Sequence, residues 1–178
     1  NTQEKVKIDQ HGETLSTDGI SISELVLGEV RFSVWDFGGQ EVFYPTHTFF
    51  ISTHAVYVVM FNVLDDDLSR VEYWIRSIRA TTEVAPPIIL VGTHADMISS
   101  METLKQRMTA VKARFKAHRN IQTITSISSV TGFGIPELCD LLVKMAKDRC
   151  VFVCHCVCFI CLCLCIYLCV CLDGFLHV

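Results

Sequence analysis

Two apolar runs with an amphipathic stretch between them constrain this chain more than anything else in it. His54-Ala55-Val56-Tyr57-Val58-Val59-Met60-Phe61-Asn62 is almost continuously hydrophobic, and so is Ile88-Ile89-Leu90-Val91. Neither run alternates with polar residues, so both predict strands covered on two faces, as in a parallel sheet. Between them, Val71, Trp74, Ile75 and Ile78 recur at i, i+3, i+4 and i+7, the stripe of one helix face. Arg70, Glu72, Arg76 and Arg79 fall mostly off that stripe, which places Trp74 in a core and the charges in solvent. Asp65-Asp66-Asp67 offers caps for the helix, and Pro86-Pro87 forbids its continuation. Strand, helix and strand in this order need a crossover that lays the helix on a sheet face.

The preceding segment has a different period. Val30, Phe32 and Val34 alternate with Glu29, Arg31 and Ser33, the pattern of a half-buried strand. Ile20, Ile22 and then Leu25-Val26-Leu27, with a break in phase, predict an antiparallel partner joined through a tight turn at Gly28. The alternating strand ends in Trp35-Asp36-Phe37-Gly38-Gly39-Gln40. Glycine lets a backbone approach a bulky anion, and a carboxylate beside a glycine amide suits a metal-bound phosphate. The Gln40 amide is then placed to orient an attacking water. The bland alternative is a glycine-rich turn with Asp36 as a cap.

Two more polar boxes close later strands. Val91 runs directly into Gly92-Thr93-His94-Ala95-Asp96. Met101, Leu104, Met108, Val111 and Phe115 then predict a helix with Lys105, Arg107, Lys112, Arg114 and Lys116 largely outside. The strand expected over Ile121 to Ile127 ends in Ser128-Ser129-Val130-Thr131-Gly132. Pro136 opens a last helix with Ile135, Leu138, Leu141, Leu142 and Met145 inward. Three boxes at three strand ends match the place where open α/β sheets bind ligands.

A formal charge of -4 without a basic stripe argues against nucleic acid as a partner. Residues 1 to 138 hold none of the ten cysteines, so the globular part reads as cytoplasmic and free of disulfides.

Trp35-Asp36-Phe37-Gly38-Gly39-Gln40-Glu41, followed by Tyr44-Pro45-Thr46-His47 and Phe49-Phe50, resembles the Roc GTPase domain of the Roco family, which includes the leucine-rich-repeat kinases. The resemblance implies an α/β, Ras-like P-loop NTPase fold, a mostly parallel sheet with helices on both faces. It implies GTP or GDP and Mg²⁺ as ligands, with Thr17 and Asp36 attending the metal, the Gly39 amide sensing the γ-phosphate and Gln40 catalytic. Thr93, His94 and Asp96 occupy the positions that read guanine, since a carboxylate there accepts from the base's N1-H and exocyclic amine. Thr93 stands where Ras-like relatives carry an asparagine strut, and His94 where they carry a lysine. Ser128 and Ser129 match the loop whose backbone N-H groups meet the guanine carbonyl, while Val130 departs from its lysine. A COR dimerisation module, or a homodimer partner, is implied for the full-length protein.

The phosphate-cradling Gly-x-x-x-x-Gly-Lys-[Ser/Thr] loop occurs nowhere in the sequence. Family order places it, with the first strand and first helix, before Asn1, so the expectation is a partial Roc domain over 1–148, inactive as given and lacking the central strand of its sheet. The different-class alternative is a degenerate, nucleotide-independent interaction module. The segment 149–178 is of another kind. Eight cysteines crowd between Cys154 and Cys171, and Val151 to Leu172 has His155 as its only strongly polar member. The composition suits a translated dinucleotide repeat. As a helix, the same run would be about 33 Å long, enough for a membrane anchor over 151–172.

Overall fold

The computed structural model describes residues 20–37, 48–53, 55–149, 155–161 and 170–172. The hairpin comes first: β1 (Ile20–Leu27) and β2 (Val30–Phe37) pair antiparallel from Ile20 opposite Phe37 to Leu27 opposite Val30. Gly28 adopts φ +62° in the turn, the left-handed region that glycine enters without cost. The phase break expected within β1 does not interrupt it.

β3 (Val56–Asn62), α1 (Ser69–Thr81), β4 (Ile88–Thr93), α2 (Met101–Phe115), β5 (Ile121–Ser126) and α3 (Ile135–Arg149) follow in the expected alternation. β3, β4 and β5 lie side by side and parallel. The strands divide their side chains between two cores. Tyr57, Val59, Phe61, Ile88 and Leu90 meet α1 and α2 through Val71, Trp74, Ile75, Ile78, Leu104, Met108, Val111 and Phe115. Val30, Phe32, Val34, Val56, Val58, Ile89 and Val91 meet α3 through Leu138, Leu142 and Ala146. Successive strand residues point to opposite faces, so the continuous apolar runs cover both. Met101 is an exception to the expected helix stripe. It is exposed at the first position of α2, where no earlier turn of the helix covers it.

Local hydrogen bonds set the helix starts. Ser100 caps α2, its hydroxyl accepting from the Thr103 N-H at 3.1 Å. At α1 the Asp67 carboxylate accepts from the Ser69 N-H at 2.8 Å and from the Ser69 hydroxyl at 3.0 Å. These bonds favour the charged form and hold the Asp67 carboxyl below its ordinary value. Ahead of β3, the buried Tyr57 hydroxyl donates to the Ser52 carbonyl at 2.9 Å and accepts from the Ser52 N-H at 2.7 Å. Tyr57→Phe removes both bonds and is expected to cost about 1–2 kcal/mol, read as a lower urea midpoint at unchanged slope.

The segment beyond α3 is described over two short stretches. His155–Cys161 (β6) and Val170–Leu172 (β7) are strands, so the helix that a membrane span over 151–172 requires is not formed. Among the described residues, no helix is long and apolar enough to cross a membrane. β6 joins the main sheet, whose order is β1-β2-β6-β3-β4-β5, with β7 pairing antiparallel to β6. The sheet expected without a central strand therefore has one, supplied from the segment after residue 149.

Candidate functional site

β2, β6, β3, β4 and β5 run parallel, so their C-terminal ends share one edge of the sheet. All three polar boxes leave from that edge. Asp36 is half-buried at the last position but one of β2. Thr93 ends β4, and Ser128 lies two residues past the end of β5. Two strands separate β2 from β4, which puts Asp36 and Thr93 on strands about 14 Å apart at the usual strand spacing. Thr17, Gly39 and Gln40 lie outside the described residues.

The second box is tightly held. The Thr93 hydroxyl donates to the Phe61 carbonyl of β3 at 3.2 Å, and its backbone carbonyl accepts from the Val63 N-H at 3.1 Å. Thr93 thus ties β4 to the segment leaving β3. His94 follows with φ +61°, the one described residue other than glycine in the left-handed region. Such a conformation is costly for a side chain with a Cβ, and here it reverses the chain sharply out of the strand. The exposed imidazole Nδ1 lies 2.9 Å from the Thr93 hydroxyl. Ala95, Asp96 and Met97 form a 3-10 turn, in which Ala95 is buried and Asp96 is exposed.

The third box is bonded to the second. The Ala95 N-H donates to the Ile127 carbonyl at 3.1 Å, and the Ile127 N-H donates to the Gly92 carbonyl at 2.8 Å. Ser128 is fully buried, and its hydroxyl accepts from the Thr131 N-H at 3.1 Å. Its N-H donates inward to the Phe133 carbonyl at 2.9 Å, and its carbonyl accepts from Gly132 at 2.9 Å. The expectation that Ser128 offers its N-H to a ligand is therefore corrected: Ser128 closes the loop instead. Ser129 and Val130 stand exposed at the turn, with no hydrogen-bond acceptor for their N-H groups among the described residues. The outward donors of this box are thus Ser129 and Val130, a position that the motif alone does not single out.

An aromatic cluster stands beside Asp36. Phe50, from a short 3-10 turn over Thr48–Phe50, packs with its ring centroid 5.7 Å from Trp35 and 6.2 Å from Phe37. The signal is present as Phe49-Phe50, but only the fold brings it against β2.

A family model described as "Ras of Complex, Roc, domain of DAPkinase" matches residues 2–96, more than half of the chain. The chain belongs to the Roc family. This Roc domain is 39% identical over 140 residues, 76% of the chain, to "Probable serine/threonine-protein kinase qkgA" of Dictyostelium discoideum. It is 37% identical over 145 residues, 79% of the chain, to "Probable serine/threonine-protein kinase roco11" of the same organism. The chain spans only 9% and 10% of the length of those two proteins. Its fold matches that of Methanosarcina barkeri Roco2 RocCORdC, solved bound to GDP, with a TM-score of 0.56 and 26% identity over 74% of this chain and 39% of that one. The fold is the Ras-like P-loop NTPase fold, and the family that the Asp36 box resembles is the family found.

Proposed function

We propose that this Roc domain is the guanine-nucleotide switch of a longer Roco-type protein, binding GTP and GDP along the shared C-terminal edge of the sheet. The observation that supports the reading is the bonding of the Asp96 box to the Ser129 turn through Ala95 and Ile127, which holds the two boxes together at neighbouring strand ends. A guanine ring presents two donors and a carbonyl acceptor on adjacent edges, the complement of a carboxylate and outward N-H donors. His94, left-handed and exposed, would lie along the base. Thr93 acts by positioning them.

At the other end of the edge, Asp36 is a half-buried carboxylate, the hard oxygen donor that Mg²⁺ prefers. Among the described residues, no group of three His, Cys, Asp or Glu side chains comes together to hold a metal. Mg²⁺ would be held there by the Asp36 carboxylate, the Thr17 hydroxyl and the phosphates themselves, where it would neutralise phosphate charge. The Gly39 amide would meet the γ-phosphate and Gln40 would orient the hydrolytic water. A COR module, present in the Roco2 structure, is the partner proposed for the full-length protein.

The test is Asp96→Asn in the full-length protein, with binding read by calorimetry. Removing a charge-assisted pair and presenting a donor to donors is expected to weaken GTP about 100-fold. Binding of xanthosine triphosphate, which carries a carbonyl in place of the exocyclic amine, should strengthen. Because Asp96 is exposed, stability should change by less than about 0.5 kcal/mol. Unchanged GTP affinity would sink the guanine assignment. A nucleotide-independent interaction module is the second reading, favoured by the strand that fills the centre of the sheet.

A further inference from the structure

The sheet has an open margin at β5. β5 is the last strand in the sheet order and pairs only with β4 among the described residues. Ile127, just past its end, turns both backbone groups toward β4: its N-H donates to the Gly92 carbonyl at 2.8 Å and its carbonyl accepts from the Ala95 N-H at 3.1 Å. Backbone direction alternates along a strand, so Ile124 and Ser126 turn their N-H and C=O groups to the open side. No residue of β5 is buried, whereas Ile88 to Gly92 of β4 all are. Sheet edges are commonly kept from pairing by charge or proline. β5, Ile121-Gln122-Thr123-Ile124-Thr125-Ser126, has neither, and its register shift lies at its start, ahead of Thr123.

Beside this edge the surface is a groove. Between α2 and β5 lie two hollows of about 380 and 350 Å³, with Lys112 and Ile124 in the walls of both. Leu104, Met108 and Phe133 give one hollow its apolar wall, and Phe115 and Ile121 give the other. Phe133 is 42% exposed, a large ring left uncovered at the groove. The charge here is of one sign. Lys105, Lys112 and Lys116 are exposed and form no ion pair among the described residues, and neither hollow has an acidic wall residue among them. Elsewhere on the same helix, Arg107 and Arg114 are paired with Asp66 and Glu72. From Lys105 to Lys116 the helix rises about 16 Å, the length of roughly five strand residues.

We propose that the β5 edge is a docking site at which a partner protein adds an extended acidic segment as a further strand, its apolar side chains in the groove against α2 and its carboxylates on Lys105, Lys112 and Lys116. Main-chain bonds to Ile124 and Ser126 hold such a strand, and the groove and the lysines select it. A second copy of this chain, pairing edge to edge, would bring these lysines against their own equivalents, and like charges oppose that. A bilayer surface presents no strand to the open backbone groups.

The experiment is fluorescence anisotropy on the full chain with the labelled peptide Glu-Glu-Val-Thr-Leu-Thr-Glu-Glu, whose inner glutamates stand five residues apart. Saturable binding is expected below about 1 mM. Lysine in place of every glutamate should weaken it at least about tenfold, and so should Lys112→Glu together with Lys116→Glu in the protein. Both lysines are exposed, so the urea midpoint of that variant should hold. Strand addition has its own signature, because only alternate amides of the peptide face β5. N-methylation of its Val and Leu, or of its two Thr, should abolish binding in one case and spare it in the other. No saturable binding overturns the docking site, and equal effects of the two methylations overturn strand addition. Sedimentation of the chain as a dimer that binds no peptide gives the edge to a second copy. Binding to phosphatidylserine vesicles in place of the peptide, lost in the double lysine variant, gives it to a membrane. Either result overturns the proposal.

Discussion

Trp74→Ala is expected to lower stability by about 3–5 kcal/mol, the cost of emptying a fully buried indole site. Trp74 is fully buried and is among the largest wholly buried side chains. It belongs to the cluster in which α1 meets Tyr57, Val59, Ile88, Leu90 and Phe115. Its ring also stands edge-on to Tyr73, centroids 5.2 Å apart at 80°. Alanine would leave a cavity that rigid strands on one side cannot collapse into, so the transfer loss and the cavity cost add. Domains of this size have about 5–15 kcal/mol in total, so the variant should be largely unfolded at moderate urea or temperature. Urea denaturation followed by circular dichroism gives the value. Trp74→Phe, which keeps most of the volume, should lose well under half as much. An unchanged midpoint for the alanine variant would mean that α1 is not docked through this face.

Gly134→Ala is the second large effect, with an expected cost of about 3 kcal/mol, and its mechanism is in the backbone. Gly134 has φ +72°, and a Cβ there would collide with the Ser126 carbonyl oxygen. The left-handed conformation alone costs a side-chain-bearing residue about 1–2 kcal/mol. The clash adds to it, because the obstructing atom is main chain of β5 and not the end of a flexible side chain. Gly132 is the internal control. It has φ +78° and open space for 4 Å around the position a Cβ would take, so Gly132→Ala should cost only the conformational part, about 1–2 kcal/mol. The difference between the two melting curves isolates the close approach. Gly134→Ala should also disturb the turn in which Ser128 bonds to Phe133, since Gly134 directly follows Phe133 and its carbonyl accepts from Leu138 at the start of α3. Equal costs for the two substitutions would remove the steric part of this account.

Where the polar boxes leave the sheet was legible before any fold was known, because each box is a short run that ends an apolar period. Asp36 closes an alternating strand, and the Thr93-His94-Ala95-Asp96 box closes a continuous one. Strand ends can be read from where the apolar period stops. What Ser128 does with its N-H was not legible. Its acceptor, Phe133, is five residues away and comes within reach only because Gly132 and Gly134 take left-handed conformations. The tether from Ala95 to Ile127 spans two neighbouring strands, and no local pattern announces it.

By itself, the sequence determined the elements from β1 to α3, the buried faces of α1, α2 and α3, and the order of the polar boxes. Those are consequences of periodicity, and periodicity is a property of neighbouring residues. Only the tertiary structure decided what becomes of residues 155–161. An apolar run whose only strongly polar member is His155 satisfies its backbone equally well as a long helix or as a strand with partners on both sides. The choice depends on whether two strand edges lie one strand apart, as β2 and β3 do, and that is a property of the assembled sheet and not of neighbouring residues.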